Sequence, residues 1–260
     1  MIRTIVLLTD FGHKDHYVGV MKGVISGIAK EVQVIDLCHE VSPQDVRSAA
    51  YLLGVSYRYF PSQTIFLCVV DPTVGTERRL IAAQLGDYYF LAPDNGTLTM
   101  VLDREEKKKV VQITNPIYRL ARVSSTFHGR DILSPAAAHL ARGLALTKLG
   151  EGIKGPLITL QGQVPKRGKQ FLEGEIFYID HFGNLITNLH SDLLHPTKNC
   201  EVTVRNKKIQ EIGVCYAEVD KGELVAVVAS SDFLEIAVNQ GNAQKRLHAK
   251  IGDPVRVRWK

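Results

Sequence analysis

The chain has 260 residues, 45% of them hydrophobic and 23% charged, with a formal net charge of +5. This is an ordinary globular mix with enough apolar mass for a sizeable core, which excludes a disordered or fibrous chain. The slight basic excess does not point to nucleic acid, and no apolar run approaches the roughly 18 residues of a membrane span.

Residues 2–8 form a short β-branched and apolar run that ends in Thr9-Asp10. Residues 15–29 carry helical spacing, with Val18, Met21, Val24, Ile25 and Ile28 on one face. Residues 32–37 read as a second strand. The segment "SPQD" (42–45) predicts a helix start, with Ser42 as N-cap and Pro43 at the first helical position. Residues 64–70 are a third strand. The β-α-β-α-β order implies parallel strands.

Residues 80–85 and 88–92 then read as a hairpin around Gly86-Asp87. Lys107-Lys108-Lys109 follows Glu105-Glu106 and reads as a solvated turn. "NGTLTMVL" begins a short helix. "SPAAAHLARGLAL" predicts a helix capped by Ser134. Near residue 155 the composition changes to linker-like "GEGIKG" and "GQVPKRGKQ". Short strands dominate beyond it, at 174–180, 184–189, 200–204, 223–229, 233–238 and 254–258. The expectation is an α/β domain with a mostly parallel sheet over 1–160 and a smaller all-β, barrel-like domain over 170–260.

Met1-Ile2-Arg3 leads straight into the first strand without a signal pattern. The four cysteines (Cys38, Cys68, Cys200, Cys215) form no CxxC pair. Both features fit a cytoplasmic, reduced protein.

Asp10, Asp36 and Asp71 each close a predicted parallel strand. Ligands of open α/β sheets bind beyond the carboxyl ends of the strands, so these acids should line one crevice, with Asp94 and Asn95 beside them. Each alone is equally a turn or cap residue. No GxGxxG, P-loop, HExxH or GxSxG motif is present, which leaves no signal for a dinucleotide cofactor or a zinc centre. In "DPTVGTERRL" (71–80), Asp71 and Arg78 face each other across a turn, as a plain salt bridge or as a reaction centre. "SSTFHGRD" brings His128 to the start of a helix. One Asp, one Arg and one His make a plausible water-handling set. In "YIDHFGNLITN", Asp180, Phe182 and Asn184 suit a hairpin turn and equally a heteroaromatic base.

Taken together, "TDFGHKDHYVGVMKG", "DPTVGTER", "APDNGTLT", "STFHGRDILSPAAAHLA", "DHFGN" and "ASSDFLEIAVNQG" resemble, in order and nearly end to end, the S-adenosyl-L-methionine hydroxide adenosyltransferases. That family is related to the bacterial fluorinase and chlorinase. The resemblance implies a homotrimer with the substrate held between the large domain of one subunit and the small domain of its neighbour. It implies hydrolysis of S-adenosyl-L-methionine to adenosine and L-methionine, with no metal, no other cofactor, no nucleic acid and no membrane. The catalytic set maps onto Asp71, Arg78 and His128, and the ribose diol onto Asp10. Asp15, Tyr17 and Asp180 fall at the methionine end, and Gly129 is a further substrate-binding position. Phe182 and Asn184 match the adenine side, and Ser230, Ser231, Asn239 and Gln240 the late binding loop. Asp71 together with His128 favours water over halide. Thr73 stands where the family usually has glycine.

The chemistry suits these residues. The sulfonium leaves as a neutral thioether, so the demand falls on the nucleophile, and water must lose a proton as it attacks C5′. His128 as base and an Arg78-stabilised hydroxide are both open at this stage. Two other readings compete: a metal-dependent nucleotide phosphohydrolase, since strand-end acids suit Mg²⁺, and a non-catalytic nucleoside-binding module.

Overall fold

The sequence's period-two strands and amphipathic helices resolve, in a computed structural model, into two compact units, 1–160 and 161–260. The structure describes residues 4–160, 164–194 and 198–260.

In the first unit, β1 (Thr4–Thr9), β2 (Gln33–Cys38), β3 (Ile65–Val69), β4 (Leu80–Leu85), β5 (Tyr88–Pro93) and β6 (Lys107–Gln112) form one sheet in the order β2-β1-β3-β5-β4-β6. β2, β1, β3 and β5 are parallel; β4 pairs antiparallel with β5 and β6. Ile5, Leu7, Ile65 and Leu67 point to one face and pack with helices α1 (Tyr17–Ile28) and α4 (Ser134–Ala141). Val6, Leu8 and Phe66 point to the other face, toward α2 (Val46–Ser56) and the short α3 (Thr99–Leu102). A sheet covered on both sides needs apolar residues at every position, which is why these strands read as unbroken apolar runs.

Four local expectations are corrected. The α2 cap is Asp45, not Ser42: its Oδ1 accepts the Ser48 amide at 3.0 Å. Ser134 does not cap α4, because the chain is already helical over a π-turn at Gly129–Leu133, and the Ser134 hydroxyl donates back to the Gly129 carbonyl at 2.8 Å. The lysine run 107–109 is not a turn but the start of β6, the last strand of the sheet, whose outer side meets the chain again through a bridge between Val111 and Gly152. Asp36 lies inside β2, opposite Leu7, rather than at its end.

In the second unit, β7 (Lys166–Arg167), β8 (Phe171–Ile179), β9 (Leu185–His190), β10 (Cys200–Val204), β11 (Lys207–Gln210), β12 (Leu224–Val228), β13 (Phe233–Val238) and β14 (Pro254–Trp259) pair antiparallel in the order β11-β10-β14-β8-β9-β13-β12, with β7 on β8. A bridge between Gly213 and Val227 brings the two ends of the sheet together, so it is nearly closed and barrel-like around Leu172, Ile176, Leu234, Ile236 and Val257. β11 and the short helix α5 (Ala243–Leu247) have no counterpart in the sequence expectation. No helix among the described residues is long and apolar enough to cross a membrane.

Candidate active site

Parallel pairing sets the ends of β1 and β3 side by side, with Thr9 opposite Val69. Asp10 and the Val70-Asp71 step therefore leave the sheet at one edge. Asn95, just after β5, donates from Nδ2 to the Val70 carbonyl at 2.8 Å and so holds the residue ahead of Asp71. Asp94 does not join the crevice. It is buried, pairs with Arg79 and accepts the Ile158 amide at 2.9 Å. Asp36 is likewise engaged away from Asp71, 2.6 Å from Lys22 Nζ.

The segment 71–78 folds back on itself. The Val74 amide bonds to the Asp71 carbonyl at 3.2 Å and the Thr76 amide to that of Thr73 at 3.2 Å. The left-handed position of this turn is Gly75 (φ 85°), not Thr73, so threonine is tolerated where the family has glycine. The Thr73 hydroxyl instead donates to Asp71 Oδ1 at 3.3 Å.

Across the turn, Arg78 Nε donates to both Asp71 oxygens, at 2.9 and 2.8 Å, and Nη2 also bonds Oδ2. The two side chains are only 8% and 6% exposed, so the pair is nearly dry. Nη2 also lies 3.0 Å from His128 Nδ1. A guanidinium can only donate, so Nδ1 must accept and the neutral ring carries its proton on Nε2. Burial, then the Arg78 charge, lowers the His128 pKa below its ordinary value, against the opposing pull of Asp71, Asp131 and the Ser124 carbonyl.

His128 is held by its own loop. Asp131, fully buried, accepts the Ser124 amide at 2.8 Å, the Ser124 hydroxyl at 2.7 Å and Arg130 Nε at 2.6 Å. Gly129 has a packing reason: a Cβ there would sit 3.0 Å from Val69 Cγ1 at the end of β3. The π-turn that follows is a feature common at functional sites.

Asp10 Oδ2 accepts the Gln44 amide at 2.7 Å, which ties the β1 end to the loop after β2. Beside it, Tyr17, Phe11 and Phe127 make an aromatic triangle with centroids 5.3–5.6 Å apart. Tyr17 was expected at the methionine end of the site; Phe11 and Phe127 were not expected in it. Their signal in the sequence was only adjacency to Asp10 and His128. Asp15 lies in the exposed stretch ahead of α1.

In the second unit the β8–β9 turn is built by Asp180. Its Oδ1 accepts the amides of Phe182 (2.9 Å) and Asn184 (2.8 Å), and Oδ2 accepts Asn184 Nδ2 at 3.0 Å. Phe182 is left 70% exposed at the turn tip, its ring roughly perpendicular to that of His181 at 5.6 Å. Register places Leu185 opposite Ile236, so this turn lies toward the Asn239–Gln240 end of β13. Asn239 is partly committed there, donating to the Val219 carbonyl at 2.7 Å. Ser230 and Ser231 lie before Phe233, at the opposite end of β13, with the six residues of the strand, about 20 Å, in between. The second unit thus presents two separated groups rather than one cluster. Among the described residues no group of three or more His, Cys, Asp and Glu is gathered as metal ligands would be.

Comparison with known proteins covers nearly the whole chain. The family models described as "SAM hydroxide adenosyltransferase N-terminal domain" and "SAM hydroxide adenosyltransferase C-terminal domain" match residues 5–150 and 174–256. The chain is 39% identical to a protein of Thermus thermophilus named (R)-S-adenosyl-L-methionine hydrolase, covering 98% of this chain and 100% of that one. It is 28% identical to a protein of Actinopolyspora mzabensis named fluorinase, over 97% of this chain and 96% of that one. A solved structure of an uncharacterized conserved protein from Thermotoga maritima superposes with a TM-score of 0.92 at 39% identity, over 97% of this chain and 99% of that one.

Proposed function

The chain belongs to the SAM hydroxide adenosyltransferase family, and on that premise we propose that it hydrolyses S-adenosyl-L-methionine to adenosine and L-methionine. The observation that carries the chemistry is the nearly dry Asp71–Arg78 pair at the edge of the parallel sheet, with His128 bonded to its guanidinium.

Water attacks C5′, the C5′–S bond breaks, the electron pair stays on sulfur as the thioether of methionine, and one proton is released. Arg78 has no acceptor, and His128 Nδ1 is engaged by Arg78, so of the three side chains the Asp71 carboxylate is the one with acceptor capacity for that proton. Arg78 stabilises hydroxide character as it develops, and His128, kept neutral, fixes the guanidinium in place. A cationic sulfonium and a hydroxide-like nucleophile neutralise each other in the transition state, which a water-poor site favours. Asp10 binds the ribose diol, with Phe11 and Phe127 as the adjoining wall. Oriented attack of this kind can supply roughly 7–11 kcal/mol of the acceleration.

Asp15, Tyr17 and Asp180 hold the methionine side, Phe182 and Asn184 the adenine, and Gly129, Ser230, Ser231, Asn239 and Gln240 the remaining contacts. The separation of the last two groups along β13 suits an elongated substrate. A homotrimer with its sites at subunit interfaces, working in the cytoplasm, is part of the same reading.

The test is chromatography of S-adenosyl-L-methionine incubated with the protein in ¹⁸O water, with and without EDTA. Adenosine and methionine in equal amounts, label in the 5′-hydroxyl and indifference to EDTA support the reading. Saturable binding without adenosine overturns it.

A further inference from the structure

Thr9, the last residue of β1, and His39, just after β2, are both fully buried, and the sequence reading gave neither a role. Thr9 Oγ1 lies 2.8 Å from His39 Nδ1 and also accepts the Phe11 amide at 3.3 Å. On its other side, His39 Nε2 is 3.0 Å from Asp36 Oδ1, close but off the line of the N–H. A carboxylate there requires the ring proton on Nε2. In the neutral ring Nδ1 is then an acceptor, and the Thr9 hydroxyl donates to it. Asp36 is held in turn by Lys22 at 2.6 Å. The order of donors therefore runs one way, from the Phe11 amide through Thr9 and His39 to Asp36.

The same histidine grips the loop by its backbone: its carbonyl accepts the Gly12 amide at 2.7 Å, where Gly12 is left-handed (φ 64°). Phe11 and Gly12 directly follow Asp10. Beside the bond from the Gln44 amide to Asp10, two anchors of the Asp10 loop thus meet at one buried residue.

We propose that His39 is a positioning residue that, through Thr9 and Gly12, holds the Asp10 loop in the register that grips the ribose diol. The inference rests on the reading of Asp10 as the diol ligand. His39 touches no reacting atom. Its effect falls on substrate capture rather than on the chemical step.

The experiment uses Thr9→Val, which keeps the shape of the side chain and removes the donor, with Thr9→Ser as the conservative rescue and His39→Asn as a second route. The expected result for Thr9→Val is KM for S-adenosyl-L-methionine raised roughly tenfold with kcat within about twofold. Thr9→Ser restores KM. With the 2′-deoxy analogue, which has already lost half of the diol contact, Thr9→Val costs distinctly less. Hydrogen exchange at the Phe11 and Gly12 amides quickens in Thr9→Val and in His39→Asn, while the amides of β3 stay protected. Unchanged exchange at those two amides, or a loss confined to kcat, overturns the inference. Absence of turnover in the wild-type protein overturns the proposed function instead, and the exchange experiment still decides whether His39 holds the loop.

Discussion

Gly75 lies directly beneath the Ser125 carbonyl: a Cβ on Gly75 would come within 2.7 Å of that oxygen. The contact joins the turn that carries Asp71 and Arg78 to the loop that carries His128. Two constraints coincide there, since Gly75 is also left-handed (φ 85°). Gly75→Ala must push the two loops apart. We expect kcat/KM to fall by roughly 10²-fold, as displacements of about 1 Å at a reacting centre do. Steady-state kinetics beside a thermal melt checks this, and a large loss of activity with a small loss of melting temperature is the expected pattern.

Asp71→Asn keeps the shape of the clamp and removes its proton acceptor. Turnover should fall at least ~10²-fold, the usual scale for losing a general base. Binding of S-adenosyl-L-methionine, measured by calorimetry, should change much less. Wild-type turnover in this variant would remove Asp71 from the chemistry.

The neutral state of His128 gives a pH dependence with a definite sign. Its pKa is held below the ordinary value by burial and by Arg78. Activity should be full above about 6.5, the unperturbed histidine value, and fall on the acid side as the ring protonates. The same group contributes stability above that pH, and the contribution is lost as pH falls through the depressed value. NMR titration of the imidazole separates the causes: Arg78→Gln should raise the His128 pKa, and Asp71→Asn should lower it further.

Glu235 offers a stability test in the second unit. It is buried on β13, its pKa is raised chiefly by desolvation, and it accepts the Tyr216 hydroxyl at 2.7 Å. A carboxyl with a raised folded pKa stabilises the fold below its unfolded pKa, and that contribution disappears as pH rises through the folded value. Glu235→Gln should therefore raise the melting temperature at pH 8 relative to wild type, with the difference shrinking toward pH 4. A difference that grows toward acid would contradict the assignment.

The assembly is checked by mass. Light scattering should report three times the 28.9 kDa of the chain. Phe182→Ala, which removes an exposed ring, should raise KM while leaving the mass unchanged.

Patterning along the chain determined the elements and much of the chemistry. The β-α-β-α-β order of the first 70 residues announced a parallel sheet, and the turn residues of 71–78 placed Asp71 and Arg78 within reach of each other. The order of motifs brought His128 to the same centre. What the chain order could not decide was which acids turn inward. Asp10 and Asp71 follow the ends of β1 and β3, whereas Asp36 falls inside β2 and pairs with Lys22, and Asp94 is taken by Arg79. Those outcomes depend on strand ends and on partners distant in sequence, which local spacing does not encode. The buried polar residues were also silent in sequence. Thr9, His39, Ser124 and Asp131 look like ordinary loop residues until the fold removes water from them and each must find a partner. The sequence named the groups that can handle water; burial and strand register decided which of them are held together and which are engaged elsewhere.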